Sequence, residues 1–193
     1  RGGARVASEG MAGFVLASRS PRRRELLAAA GLFPDVDPVD VDESPRPGET
    51  PERYVVRVAQ DKVEASKRKG PVLAADTTVV LDGRSLGKAE DADHARQILS
   101  ELSGRTHLVR TAVVLKADRL LWDVVATAVT FRNLTDADIA RYIETDEPFD
   151  KAGAYGIQGG GGSLIERVEG SYTNVVGLPL TETLRILRMA EVV

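Results

Sequence analysis

The sequence predicts a mixed α/β protein, a twisted mixed sheet with helices packed along it. Well-capped segments of helical period alternate with short apolar β runs in the first half of the chain, the pattern of crossover connections. Two long β-rich stretches, residues 107–116 and 120–131, flank a short turn at Ala117-Asp118 and predict an antiparallel hairpin. The composition is that of a globular chain, with 42% hydrophobic and 28% charged residues over 193 positions. That length buries a core without staples. There are no cysteines, which excludes disulfides, thiolate metal sites and cysteine nucleophiles.

Residues 1–12 lack a signal-like apolar run and read as a disordered leader or expression remnant, with Met11 as a natural start. Phe14–Ala17 is a first strand. Ser20-Pro21 then starts a helix whose buried stripe is Leu26, Leu27 and Ala30 and whose stop is Gly31. Val36–Val41 alternates apolar and acidic residues as a half-buried strand does, and Ser44–Thr50 reads as a loop. Thr50-Pro51 opens a helix expected to run to about Lys69, burying Tyr54, Val55, Val58, Ala59 and Val63.

Val72–Ala75 is a fully apolar strand that ends at Asp76, continued in β style to Leu81 and turned at Asp82-Gly83. A helix over about 91–102 and another over about 136–144, capped by Thr135, bracket the long hairpin. A Gly-rich loop, AGAYGIQGGGG, covers residues 152–162. Leu164–Val168 and Tyr172–Val176 predict a second hairpin turning at Gly170-Ser171, and Leu180–Met189 a final helix.

The chemistry-bearing candidates follow from this layout. Arg22, Arg23 and Arg24 occupy the first turn of a helix, where cations are disfavoured unless an anion compensates them. A phosphate on the helix N-terminus, gripped by Arg, resolves the conflict, and a solvated basic patch is the bland alternative. Asp76 at a strand end is where α/β folds place catalytic groups, although turn-forming Asp residues are common there. Lys88 returns toward Asp76 if the hairpin closes. Taken alone, Lys88 and Lys62 read as surface lysines. Gln158 carries both a donor and an acceptor suited to a base edge. Asp40, Asp42 and Glu43 offer carboxylate oxygens to Mg²⁺, or simply form a polar strand face. His94 and His107 have no metal-ligand spacing, and no Ser-His-Asp pattern emerges. The net charge of −3 opposes a protein that coats nucleic acid.

Taken together, ASRSPRRRELL, AADTTVVLDG with LGK, LSGRTH and DEPFDKAGAYGIQG resemble, in that order, the Maf family of nucleotide pyrophosphatases. The likeness spans Phe14 to Leu187 and is nearest to the branch acting on dTTP and UTP, through Asp76-Thr77 and Gln158. The resemblance implies an elongated, two-lobed single domain over residues 13–193 with a central cleft, of the Maf / inosine triphosphatase-like type. It implies water attack on the α-phosphorus of a nucleoside triphosphate, releasing pyrophosphate with the help of Mg²⁺ or Mn²⁺.

By motif position Asp76 is the proton acceptor, and Arg22, Thr77 and Gln158 set base preference. Ser18, Arg23, Lys62 and Lys88 complete the phosphate site, and Asp42 or Glu43 joins Asp76 at the metal. The chain has Gly87-Lys88-Ala89 where the family shows Gly-Lys-Pro, and Asp42-Glu43 where it often shows two glutamates. Two other readings are the sister branch acting on 7-methyl-GTP, and a non-enzymatic nucleotide- or nucleic-acid-binding regulator of cell division resting on Arg22–Arg24. The expected partner is the nucleotide substrate, with no stable nucleic-acid complex and no membrane, and with a homodimer left open. The expected location is the cytoplasm.

Overall fold

A computed structural model describes residues 11–193, with side chains from residue 13 onward. The expected leader lies outside the described residues except for its last two, which open the first strand. The architecture is a seven-stranded mixed sheet flanked by helices. Its elements are β1 (Met11–Leu16), α1 (Pro21–Ala29), β2 (Phe33–Val36), α2 (Pro51–Ala65), β3 (Val72–Leu81), β4 (Arg84–Leu86) and α3 (Ala92–Leu102). They continue as β5 (Thr106–Lys116), β6 (Leu120–Phe131), α4 (Asp136–Ile143), β7 (Ile165–Glu169), α5 (Tyr172–Val176) and α6 (Leu180–Met189). The strand order is β2-β1-β3-β5-β6-β7, with β4 folded back on β3. β1 is parallel to β2 and β3, and the other pairs are antiparallel.

Three apolar cores explain the two-lobed build. On one face Phe14, Leu16, Leu73 and Ala75 pack with Leu27 of α1 and Ile186 and Leu187 of α6. On the other face Val15, Val72 and Ala74 pack with Val55, Ala59 and Val63 of α2. The third core lies at the far end of β3, where Val79, Leu81 and Phe131 meet α3 and α4. Alternating side chains of β1 and β3 thus fill both faces of the sheet, so these strands read as unbroken apolar runs.

Four expectations are corrected. First, the strand expected over residues 36–41 is β2 at Phe33–Val36. Its last pair is Leu16↔Val36, because β1 ends there, and Pro38 beyond it has no N–H to donate. Second, α2 stops at Ala65 rather than near Lys69; Ser66 takes an extended conformation and donates its hydroxyl to Asp37 at 2.6 Å. Third, Tyr172–Val176 is helix, not strand. Ser171 accepts from the N–H of Asn174 and Gly177 ends the turn at φ +124°, and this capping outweighs the β-branched content. Fourth, Asp76 does not end a strand but sits inside the ten-residue β3.

That placement matters because β3 is unequally paired. β5 lines one edge from Val72 to Val80. On the other edge β1 pairs only with Val72 and Leu73, and β4 begins only opposite Val79. Among the described residues, no strand pairs with Ala74–Thr78 on that side. The Asp82-Gly83 turn, with φ of 51° and 77°, closes the β3–β4 hairpin as expected.

Candidate active site

A cleft of about 790 Å³ opens along the bare edge of β3. Every residue that the family resemblance places in the site lines it except Asp42; Arg24 and the two histidines lie outside it. Asp42 is exposed and turns away, accepting from the Ser44 N–H at 2.9 Å, whereas its neighbour Glu43 faces the cleft.

The chemistry divides between the two faces of β3. Successive strand residues point to opposite faces, so Asp76 faces α2 and Thr77 faces α1. Both line the cleft, where no strand among the described residues covers that edge of β3. On the α2 face, Lys62 donates to Asp76 Oδ1 at 2.8 Å and lies 2.7 Å from Glu43 Oε1. Lys62 was read as a solvated helix face; the structure buries it with the apolar stripe of α2. Asp76 Oδ2 is buried without a hydrogen-bond partner. Burial raises the Asp76 carboxyl above the usual carboxylate range, and Lys62 and Arg23 offset that in part. Burial also pushes Glu43 up, but the bond and charge of Lys62, with Lys88 and Arg23 nearby, hold it below its ordinary value.

On the other face, Arg23 is buried at the start of α1. Its Nε donates to the Gly177 carbonyl at 2.7 Å, and its two terminal nitrogens donate to Ser18 Oγ at 3.3 Å and Thr77 Oγ1 at 3.2 Å. Burial lowers its pKa, opposed by the charge of Asp76. The Ser20 side chain makes no cap bond and the first turn of α1 holds no acidic residue, so the positive helix end faces the cleft uncompensated. The three arginines do not form a surface patch. Arg23 is buried, Arg22 is half-buried 3.5 Å from Asp150, and only Arg24 is fully exposed.

Lys88 returns to the cleft beyond the hairpin and forms a β-bridge with Ala152, which ties the lysine to the Gly-rich segment. Gln158 stands at the tip of that segment. A short 3-10 helix, Gly159–Leu164, follows it in place of an open loop. Glu147, which the sequence reading passed over, pins this segment by accepting from the N–H groups of Gly160 and Gly161 at 2.9 and 3.3 Å. Tyr142 links the two parts: its hydroxyl donates to Glu147 and accepts from the Gly156 N–H. Thr111 was missed as well. It lies on β5 directly opposite Thr77 and joins it at 2.9 Å. The four-motif signature held Glu147 within DEPFDKAGAYGIQG, but nothing in it marked Thr111.

The profile of the family described as "Maf-like protein" matches residues 13–190. This chain belongs to the Maf family. Relatives include a dTTP/UTP pyrophosphatase of Anaeromyxobacter dehalogenans, 55% identical over 92% of this chain and 93% of its own length. A dTTP/UTP pyrophosphatase of Escherichia coli K12 is 50% identical over 92% of each chain. Among solved structures, a nucleoside-triphosphatase / dITP/XTP pyrophosphatase from Mycobacterium abscessus is 16% identical, with a TM-score of 0.45 over 93% of this Maf chain and 98% of its own. No helix among the described residues is long and apolar enough to cross a membrane.

Proposed function

We propose that this Maf protein hydrolyses dTTP and UTP to the monophosphate and pyrophosphate, by water attack on the α-phosphorus. The observation that carries the reading is the Asp76–Lys62–Glu43 group beside Arg23 in one cleft, with Asp76, Lys62 and Arg23 buried and Glu43 on the open side. The names of relatives at 50–55% identity support it.

The residues divide the work. Arg23, Lys88 and the open end of α1 meet the triphosphate, with Ser18 steadying Arg23. Lys62 holds Asp76 Oδ1, which leaves Oδ2 as the atom to take a proton from the attacking water. The raised pKa strengthens Asp76 as a base, while Lys62 and Arg23 favour its ionised form. Arg22, Thr77 and Gln158 are the positions we assign to base preference.

A divalent cation fits these residues. Asp76 and Glu43 converge on one ammonium, and one Asp76 oxygen is buried and unpaired. No group of three or more such ligands converges among the described residues. The protein would therefore supply two carboxylates and leave the other positions to water and phosphate, as Mg²⁺ prefers. When bound, the cation would neutralise phosphate charge and lower the pKa of a bound water.

The test is turnover of UTP, dTTP, CTP and 7-methyl-GTP with Mg²⁺ or Mn²⁺, with products identified. Uridine monophosphate and pyrophosphate are expected from UTP. Orthophosphate release, or no turnover of any nucleotide, overturns the reading. Preference for 7-methyl-GTP transfers the chain to the sister activity.

A further inference from the structure

The hydroxyl of Thr77 has a fixed direction. Behind it runs a chain of hydrogen bonds whose order is set by counting protons. The Asn174 backbone carbonyl can only accept, so Thr111 donates to it, at 3.0 Å. Thr111 has a single hydroxyl proton and has thereby used it. In the 2.9 Å contact between the two threonines, Thr77 must then be the donor. Arg23 has no acceptor, so it donates to Thr77 at 3.2 Å. A threonine hydroxyl offers one proton and two lone pairs. The proton and one lone pair of Thr77 are committed, and one lone pair remains. Thr77 is half-buried and lines the cleft, so it meets the substrate as an acceptor and never as a donor.

We infer that Thr111, itself fully buried, is a specificity-determining positioning residue: it locks Thr77 as an acceptor that reads the imide N3–H of uracil and thymine and rejects cytosine. Uracil and thymine share that donor between two carbonyls. Cytosine presents a bare acceptor nitrogen at the same place, so it would set two acceptors face to face. A site built for a substrate N–H discriminates strongly against the analogue lacking it, because its own polar group is then left unpaired. The Asn174 carbonyl belongs to α5, whose side-chain amide donates to the Val109 carbonyl at 3.0 Å and Thr127 Oγ1 at 2.9 Å. The lock is thus anchored on two neighbouring strands, not on a mobile loop.

This inference rests on the proposed pyrimidine triphosphate activity. Steady-state kinetics with UTP, dTTP and CTP test it on the unaltered protein, Thr111→Val, Thr111→Ser and Thr77→Val, each checked by thermal unfolding. Thr111→Val removes the acceptor for the Thr77 proton, so Thr77 can turn and donate into the cleft. The CTP-to-UTP ratio of kcat/KM is expected to rise about tenfold, chiefly through KM, while kcat for UTP changes less than about threefold. Thr111→Ser keeps the lock and is expected to retain the original ratio. Thr77→Val removes the acceptor without creating a donor and is expected to raise KM for UTP with no gain on CTP.

An unchanged ratio in folded Thr111→Val overturns the inference. So does Thr111→Ser behaving like the Val variant, or Thr77→Val keeping the original KM for UTP. Each of these leaves UTP hydrolysis by the unaltered protein intact. Failure of the unaltered protein to hydrolyse any pyrimidine triphosphate would instead overturn the proposed function.

Discussion

Asp76 shares one lysine with Glu43 while Asp42, one residue away, faces solvent. This adjacency separates two acidic residues that sequence alone left equivalent. Asp76→Asn is expected to lower kcat by about 10²- to 10⁴-fold with the fold retained, since it removes the proposed proton acceptor but keeps the shape of the side chain. A mutant with full turnover removes Asp76 from that role. Glu43→Gln is expected to raise the Mn²⁺ concentration needed for half-maximal turnover about tenfold, while Asp42→Asn stays within about twofold of the unaltered protein. A metal titration of both variants reads this directly, and equal effects would return Asp42 to the site.

At the scale of elements, a carboxylate helps to hold the Gly-rich segment alongside its backbone hydrogen bonds. Glu147 takes two of its N–H groups and the Tyr142 hydroxyl. Gly161 has no room for a side chain, because a Cβ there would come within 2.2 Å of the Gly156 carbonyl oxygen. Glu147→Ala is expected to cost about 1–3 kcal/mol of stability and to speed amide exchange over residues 156–162, with KM rising more than kcat falls. Exchange rates unchanged in that segment would show that Glu147 does not hold it.

The elements themselves were largely legible in the sequence. Thr50 and Thr135 cap where expected, and the long hairpin and the final helix fall within a residue or so of their anticipated bounds. The misreadings have two physical origins, a local cap that outweighs residue type and tertiary partners that no local pattern shows. α5 is β-branched, yet Ser171 and Gly177 cap it as a helix. Lys62 is polar by type but lies in the buried stripe of α2, because a carboxylate waits across the interface. The Thr111–Thr77 pair depends on cross-strand register, which no local pattern carries.

Across the whole molecule, β3 and β5 join the lobes, and the core beyond the cleft contains a buried histidine. His107 packs edge-on against Phe131 and Tyr155, shares a 2.7 Å hydrogen bond with the Tyr155 hydroxyl, and leaves Nδ1 unpartnered. Burial lowers its pKa to about 4. In the unfolded chain the imidazole titrates near ~6.5. Between those values the unfolded state binds the extra proton. The contribution is therefore intact above about pH 6.5 and is lost as pH falls toward 4, by up to about 3 kcal/mol. Urea unfolding at pH 7.5 and pH 5 is expected to show this loss, and His107→Phe to flatten it. A slope unchanged in the variant would assign acid sensitivity to other groups.

The bare stretch of β3 has a consequence for how such a protein can change. Because Asp76 and Thr77 are consecutive, they are inseparable in the chain, yet the strand partitions them into two half-sites with different neighbours. On the proposed reading, hydrolysis draws on α2, the segment carrying Glu43 and Arg23 of α1, and nucleotide choice on Thr77 with β5 and α5 behind it. Substitutions on the second set can re-tune selectivity while the hydrolytic set stays untouched, and the converse holds as well. Directed evolution toward a new base therefore has a defined territory: the pockets behind Thr77, and not the wall behind Asp76.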